Sequence, residues 1–411
     1  MKSDRDSSLR NDPLAWRMCA IAFLSANVSM ACGFSSFGVL LGAVEAKMGV
    51  TRDLSSLGVP LASLGLSVMS PMVGALATKL SIRLLMIAGV MMNVIAYAVL
   101  ALSSSIVIDL VAYGLLIGPG LSLTGAVLPF TLVARWFQVN QGWALGLVTM
   151  PLVPALMPLA VAMALRALGL SATYTLMAAL MALLLVPLLF VVDAPPQKTR
   201  DPREDAAPGG TAVDPGMTIR QLLGRPHFWT LTLSRAAIMM SAGGAAVHLV
   251  PMTRDWGLDA MQAASLLTAF SAMGMAGTLV FGWLADRLGY KKALALLCID
   301  SAILWAIMLL HPTYDALLLV AGLIGFHAGA SIPVFGVAVT QAFGRASFGR
   351  AFGLSYVIDM PFSLLSVPIA ARVYMRTGSY SEAMMGLIAF ILLATLLVLF
   401  SRGAKPLTAA P

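Results

Sequence analysis

The sequence predicts an all-α membrane protein: twelve transmembrane helices in two six-helix bundles related by pseudo-two-fold symmetry. Three observations carry that prediction. Of the 411 residues, 59% are apolar and 11% charged, whereas a soluble globular domain has about 45–50% apolar and about 25% charged residues. Twelve apolar segments are long enough to cross a hydrocarbon core, which takes about 20 residues at about 1.5 Å per residue. Short motifs also recur between the two halves of the chain at a constant offset. The composition excludes a water-soluble enzyme, a nucleic-acid-binding domain and a disordered scaffold. Cys19, Cys32 and Cys298 all lie inside apolar segments, and their odd number and wide spacing give neither a disulfide framework nor a metal pattern. No metal or cofactor is expected.

The first half offers spans at roughly 16–43, 55–78, 82–102, 106–134, 141–165 and 172–192. Span 1 holds a single amide, Asn27, and is too long for a signal-peptide core, so it should be retained. Span 2 ends in the polar turn Thr78-Lys79-Leu80-Ser81-Ile82-Arg83, from which span 3 starts. Span 4 is crowded with Gly114, Gly118, Gly120 and Gly125, a pattern of close helix approach. Span 5 carries Pro151, Pro154 and Pro158 and should kink, and span 6 is an apolar run. The second half follows the same plan, at roughly 227–254, 262–285, 291–310, 316–341, 349–372 and 381–402. Span 7 contains Arg235, the only Lys or Arg well inside a span, and span 8 repeats the glycine pattern with Gly274, Gly277 and Gly282. Well inside spans 9, 10 and 11 lie Asp300, His327 and Asp359, span 11 has Pro361 and Pro368, and span 12 is apolar between Glu382 and Arg402.

Between the halves, residues 193–226 hold six prolines and four glycines among many charges. Such a stretch cannot form a core and reads as a linker, with a short interfacial helix at Met217–Leu223 leading into span 7. The expected domains are therefore an N-terminal bundle (1–192), a cytoplasmic linker (193–226) and a C-terminal bundle (227–411). With the N-terminus inside, nineteen Lys and Arg fall on the linker side and six on the other. The positive-inside rule then places both termini in the cytoplasm of a plasma-membrane protein. That distribution accounts for the net charge of +8 without an acidic partner.

An offset of 207 residues superposes Gly142, Ala144, Gly146 and Leu147 on Gly349, Ala351, Gly353 and Leu354, and Pro154 on Pro361. An offset of 208 superposes Gly74, Ala77 and Leu80 on Gly282, Ala285 and Leu288. Parallel repeats of six spans are a transporter plan. The stretch Gly282-Trp-Leu-Ala-Asp286-Arg287-Leu-Gly289-Tyr-Lys291-Lys292 resembles the G-x-x-x-D-R-x-G-R-R/K loop of the major facilitator superfamily. The first-half copy has Thr78 in place of the Asp and Ser81 in place of the second Gly. Within that superfamily, His248-Leu249-Val250-Pro251 with Asp255-Trp-Gly257, and the stretch from Pro368 to Ala383, resemble the monocarboxylate porter and oxalate/formate antiporter group. That group commonly has an Arg anchor in span 8, where this chain has Thr278. The resemblance implies that spans 1, 4, 7 and 10 line a central cavity. It also implies that Gly282, Asp286, Arg287, Gly289 and Lys292 lock the two halves together during the conformational cycle, without touching substrate.

Ionisable groups in mid-membrane cost several kcal/mol and are functional candidates by default. Arg235 lies about 12 Å into span 7, His327 about 16 Å into span 10 and Asp359 about 15 Å into span 11, with Asn27 at similar depth. Arg235, Asn27, His327, Ser331 and Tyr356 are the candidate substrate-binding residues. The bland alternatives are a snorkelling cation for Arg235 and a neutral interhelical hydrogen bond for His327. Asp359, with Tyr356 and Ser363 on its face, is the candidate for a coupling proton, or else a static partner of Arg235 or His327. Asp300 aligns with Asn93 at the 207 offset, which predicts matching structural contacts on two outer helices.

The leading functional expectation is a secondary transporter of a small organic anion, a monocarboxylate by the resemblance, working with a proton or a counter-anion. It would be a monomer in the bilayer with no nucleic-acid partner. The alternative is an exporter of apolar or cationic compounds with Asp359 as charge partner. A membrane protease or sensor fits poorly: the chain has no H-E-x-x-H and no segment large enough for an output domain. No P-loop motif is present, which excludes an ATP-driven pump for this chain alone.

Overall fold

A computed structural model describes residues 13–195 and 216–400. The charged tails and the middle of the linker, on which part of the charge count rests, lie outside the described residues. Ten helices among the described residues are long and apolar enough to cross a membrane by length and composition. One of them, Gln141–Leu188, is two spans, because Gly169 takes a non-helical conformation at φ 80° and reverses the chain. A further helix, Tyr290–Met308, carries Lys291, Lys292 and Asp300. Together they make the twelve expected spans.

In chain order, α1 comprises Pro13–Met30, a π-helical turn at Ala31–Ser35 and Phe37–Met48; α2 is Gly58–Leu76; α3 is Ile82–Leu102. α4 runs from Ile106–Ala112 to Val127–Trp136 through two π-helical turns. α5 comprises Gln141–Thr149 and 152–168, interrupted at Met150 and Pro151, and α6 comprises 170–183 and Leu185–Leu188. In the second half α7 is Pro226–Asp255, α8 Ala260–Leu288, α9 Tyr290–Met308, α10 Tyr314–Phe343, α11 Phe348–Thr377 and α12 Ser381–Phe400. The break in α5 falls at the first of the prolines expected to disturb it, whereas α11 continues through Pro361 and Pro368. The interfacial helix before α7 is Ile219–Leu223, started by a reciprocal capping box of Thr218 and Gln221, which satisfies two otherwise orphaned N–H groups.

The halves meet where the repeat glycines lie. Gly142 of α5 abuts the carbonyl of Gly282 in α8, and Gly349 of α11 abuts Gly74 of α2. One turn on, Gly146 faces the carbonyl of Thr278 and Gly353 that of Ser70. Both crossings are at the end of the bundle that carries the linker. A Cβ at Gly142, Gly146 or Gly353 would press into backbone that has nowhere to go. The other end is parted by a cleft of about 900 Å³ between α5 on one side and α7, α8 and α10 on the other.

Candidate functional site

The cleft is almost uncharged. Its lining includes Pro151 and Pro154 of α5, Phe270 and Met275 of α8, and Gly329 and Ile332 of α10. Thr149, Thr268, Ser271 and Thr278 supply its hydroxyls. Thr278, which stands at the place of the Arg anchor common in the monocarboxylate porter group, donates its hydroxyl to the Met275 carbonyl at 2.8 Å.

One turn along α10 from Ile332, toward the linker end, Phe335 begins a closed aromatic box. Arg235 of α7 enters it and forms an ion pair with Asp359 of α11. Their side chains are 3% and 6% exposed. The same guanidinium nitrogen donates to the Ser355 hydroxyl at 2.8 Å. Its Cζ lies 4.6 Å from the ring centroid of Tyr356, 5.1 Å from Phe335 and 5.4 Å from Phe352, within the range of cation–π attraction. The first half touches this box through Phe130 of α4, whose ring meets Phe352 edge-on at 5.5 Å. Arg235 Nε and Asp359 Oδ1 have no hydrogen-bond partner. α11 can build its side of the box because Phe352, Ser355, Tyr356 and Asp359 fall on one helical face at spacings of three and four.

Of the residues singled out in the sequence, Arg235, Tyr356 and Asp359 come together here. Arg235 is half of a buried pair with Asp359, the static partnership named as the alternative for Asp359, and does not snorkel to the headgroups. Asn27, His327 and Ser331 lie elsewhere. Asn27 is spent on the broken backbone of α5: its amide donates to the Val148 carbonyl at 3.1 Å and accepts from the Val153 N–H at 3.4 Å. His327 Nε2 lies 3.3 Å from Asp300 Oδ2 of α9, and its ring packs on Phe281 and Phe326. Gly325, Ala328, Gly329 and Ile332 turn the opposite face of α10 to the cleft, so His327 and Ser331 line no part of it. The roles of Ser355, Phe335, Phe352 and Phe130 were missed in the sequence; the only signal was the spacing on α11.

At the linker end, Asp286 accepts the backbone N–H groups of Gly142 and Trp143, each at 2.9 Å, across the boundary between the halves. Gly289 caps α8 at φ 81°, a conformation that favours glycine. Arg287 lies over the Trp283 ring at 5.2 Å, and Lys292 is exposed. In the first half, where the loop has Thr78, Arg350 of α11 donates to the Thr78 hydroxyl at 2.8 Å and to the Met217 carbonyl at 3.1 Å.

Residues 23–252 and 231–410 both match the family model described as Major Facilitator Superfamily. Monocarboxylate transporter 13 of Bos taurus is 25% identical over 376 residues, covering 87% of this chain and 82% of that protein. The uncharacterized MFS-type transporter YcxA of Bacillus subtilis (strain 168) is 23% identical over 396 residues, covering 90% and 91%. Among solved structures, the fucose:proton symporter of Escherichia coli superposes with a TM-score of 0.73 at 15% identity, covering 94% of this chain and 98% of that one. That likeness is one of fold.

Proposed function

Because the chain belongs to the major facilitator superfamily and is a transporter, we propose that it carries a small organic anion, a monocarboxylate, together with a proton. Arg235 takes the carboxylate and Asp359 the proton. The observation that carries this reading is the buried pair of Arg235 and Asp359, each with one unsatisfied polar atom. At rest the two charges neutralise one another. A carboxylate drawn to Arg235, which can hold it bidentately, strands the charge of Asp359 in a dry site. That costs several kcal/mol. A proton on Asp359 removes the cost, so anion and proton load together and the occupied site stays neutral. Exchange for a second carboxylate obeys the same arithmetic, with the outgoing anion in place of the incoming one. The name of the mammalian relative supports the substrate class.

The cycle needs two gates. We take the linker end as cytoplasmic, on the balance of Lys and Arg, with 1–192 and 227–411 as the two moving bodies and 193–226 between them. The contacts of Asp286 with α5 and the glycine crossings then hold the inner gate shut, and the cleft opens outward. Substrate enters past Thr149 and Thr278 and reaches Arg235 as α10 shifts Phe335. Opening of the Asp286 contact completes alternating access.

The test is uptake of radiolabelled mono- and dicarboxylates into proteoliposomes at two internal pH values. A monocarboxylate accumulates when the interior is alkaline. Asp359→Asn abolishes that accumulation while sparing counterflow exchange, and Arg235→Lys raises the substrate Kd. Accumulation that survives in Asp359→Asn refutes the proton assignment. One specific observation favours a second reading, the apolar, uncharged wall of the cleft, which suits an apolar or cationic cargo. Against it, Asp359 already has its cation within the chain.

A further inference from the structure

Each half of the chain ties its third helix to its fourth with a polar contact, but the chemistry of the two contacts differs. In the first half Asn93 of α3 reaches toward the Thr124 hydroxyl of α4 at 3.5 Å and donates to its own helix at Gly89. The repeat offset puts Asp300 at the place of Asn93 and Ser331 at that of Thr124. In the second half the contact is made by Asp300 and His327, one turn before Ser331. The first half shows that packing here needs no ionisable group. Asp300 also sits about 15 Å along α9 from Tyr290, with its side chain 50% exposed. Leu296, Ile299 and Ile303 beside it are outward-facing, so this stripe meets the bilayer. A bare carboxylate half-exposed to hydrocarbon is costly, and one proton shared with His327 removes its charge.

We propose that Asp300 and His327 form a second proton-binding site, separate from Arg235 and Asp359, whose occupancy sets how firmly α9 holds α10. His327 is 2% exposed, and its Nδ1 and the Ser331 hydroxyl have no partner. The proton comes from water and is held between Nε2 and Oδ2, whichever atom carries it. Among the described residues neither group makes a second ion pair; on α7, His227 bonds Tyr290 at the linker end and His248 bonds the Val367 carbonyl at the other, where Asp259 and Asp315 also stand. Of the groups on helices packed against α10, Arg235 and Asp359 are paired with each other beside Phe335, two turns away. Asp286, Arg287, Lys291, Lys292 and Arg350 stand at the linker end; Arg166, Arg254, Asp255, Arg372 and Arg376 stand at the other. On α9, Cys298 faces the core. α10 is the wall of the cleft and carries Phe335, so loss of this proton loosens the helix that both borders the entrance and covers the pair.

Thermal unfolding of the full chain in lipid nanodiscs, followed from about pH 5.5 to 8.5, tests this without a substrate. The parent loses stability as pH rises through the deprotonation of the site. Asp300→Asn, which copies the amide of the first half, flattens that limb. Asp359→Asn keeps it, so the test does not depend on the coupling role of Asp359. His327→Gln lowers the melting temperature, and adding Asp300→Asn to it restores most of the loss, because the bare carboxylate is then gone. A limb that persists unchanged in Asp300→Asn overturns the proposal. A limb lost only in Asp359→Asn assigns the titration to the other pair and overturns it equally.

Discussion

Replacing Asp286 by Ala should tip the chain toward a conformation open at the linker end. The carboxylate accepts two N–H groups at the start of α5, each at 2.9 Å. A hydrogen bond to a charged group is worth about 1.5–3 kcal/mol, and a carboxylate at a helix N-terminus gains about 0.3–1 kcal/mol more from the helix dipole. Asp286 is half-buried, and both partners regain water when the halves part, so only part of the gross figure biases the equilibrium. About 2–3 kcal/mol remains, or about a 30- to 150-fold change in the ratio of closed to open states. The glycine crossings and the bond from Arg350 to Thr78 survive in the variant, so the gate weakens without dissolving. Spin labels at Leu80 and Leu288, exposed equivalents in the two repeats at 45% and 47%, report the separation of the halves at this end. Cys19, Cys32 and Cys298 are buried and escape labelling. Pulsed electron resonance should show a short-distance population in the parent and a mixed or longer one in Asp286→Ala. Asp286→Asn, which keeps one acceptor, should fall between. Identical distance distributions in parent and Asp286→Ala would show that the contact forms in the closed state without holding it.

Two further outcomes separate structural from functional roles. Arg235→Met or Asp359→Leu alone should each cost about 3–5 kcal/mol of stability, because a single replacement strands the other charge, whereas the double replacement should recover most of it; chemical denaturation of the four proteins closes that cycle. Asn27→Ala should cost about 1–3 kcal/mol by unsatisfying the Val148 carbonyl and the Val153 N–H, with counterflow affinity unchanged. A large rise in the half-saturating substrate concentration would return Asn27 to the binding site.

How much of this was legible beforehand depends on what kind of information a helix sequence contains. Repeat offsets were legible, and they were worth more than identities in a glycine-rich chain suggest. Gly142 and Gly282, paired with Gly349 and Gly74, are two copies of one crossing, because close approach of helix backbones demands the same residue on both sides. Depth was legible too, since rise per residue is fixed, and it placed Arg235 and Asp359 at one level. Azimuth was not. Whether a side chain at mid-depth faces the cleft, a neighbouring helix or lipid depends on the rotation of each helix against others far away in sequence. Arg235 and Asp359 are 124 residues apart. His327 stayed open between cavity and interhelical contact for the same reason: it lies at the depth of the pair but on the face of α10 turned to Asp300. Asn27 fell to a different cause. The kink predicted from Pro151 leaves backbone groups unpaired, and the amide that satisfies them sits in another helix.

The repeat also shows where the chemistry is concentrated. At the 207 offset, Arg235 corresponds to Val28, Asp359 to Leu152, Phe335 to Leu128 and Phe352 to Leu145. Asp300 and His327 correspond to Asn93 and Gly120, and at the 208 offset Asp286 corresponds to Thr78. Every ionisable group considered for binding, coupling or gating therefore belongs to the second half, and the first half has neutral residues at the corresponding places. Two bodies that must rock across each other need matching surfaces, which the glycine crossings supply to both. They do not need matching charges. On the mechanism proposed above, a charge in the first half facing Arg235 or Asp359 would compete with substrate and proton for the pair, and one facing Asp286 would bias the gate in both directions of the cycle. On the proposed mechanism, a first half with neutral residues at these positions lets the protonation state of the second half alone determine what the site will accept.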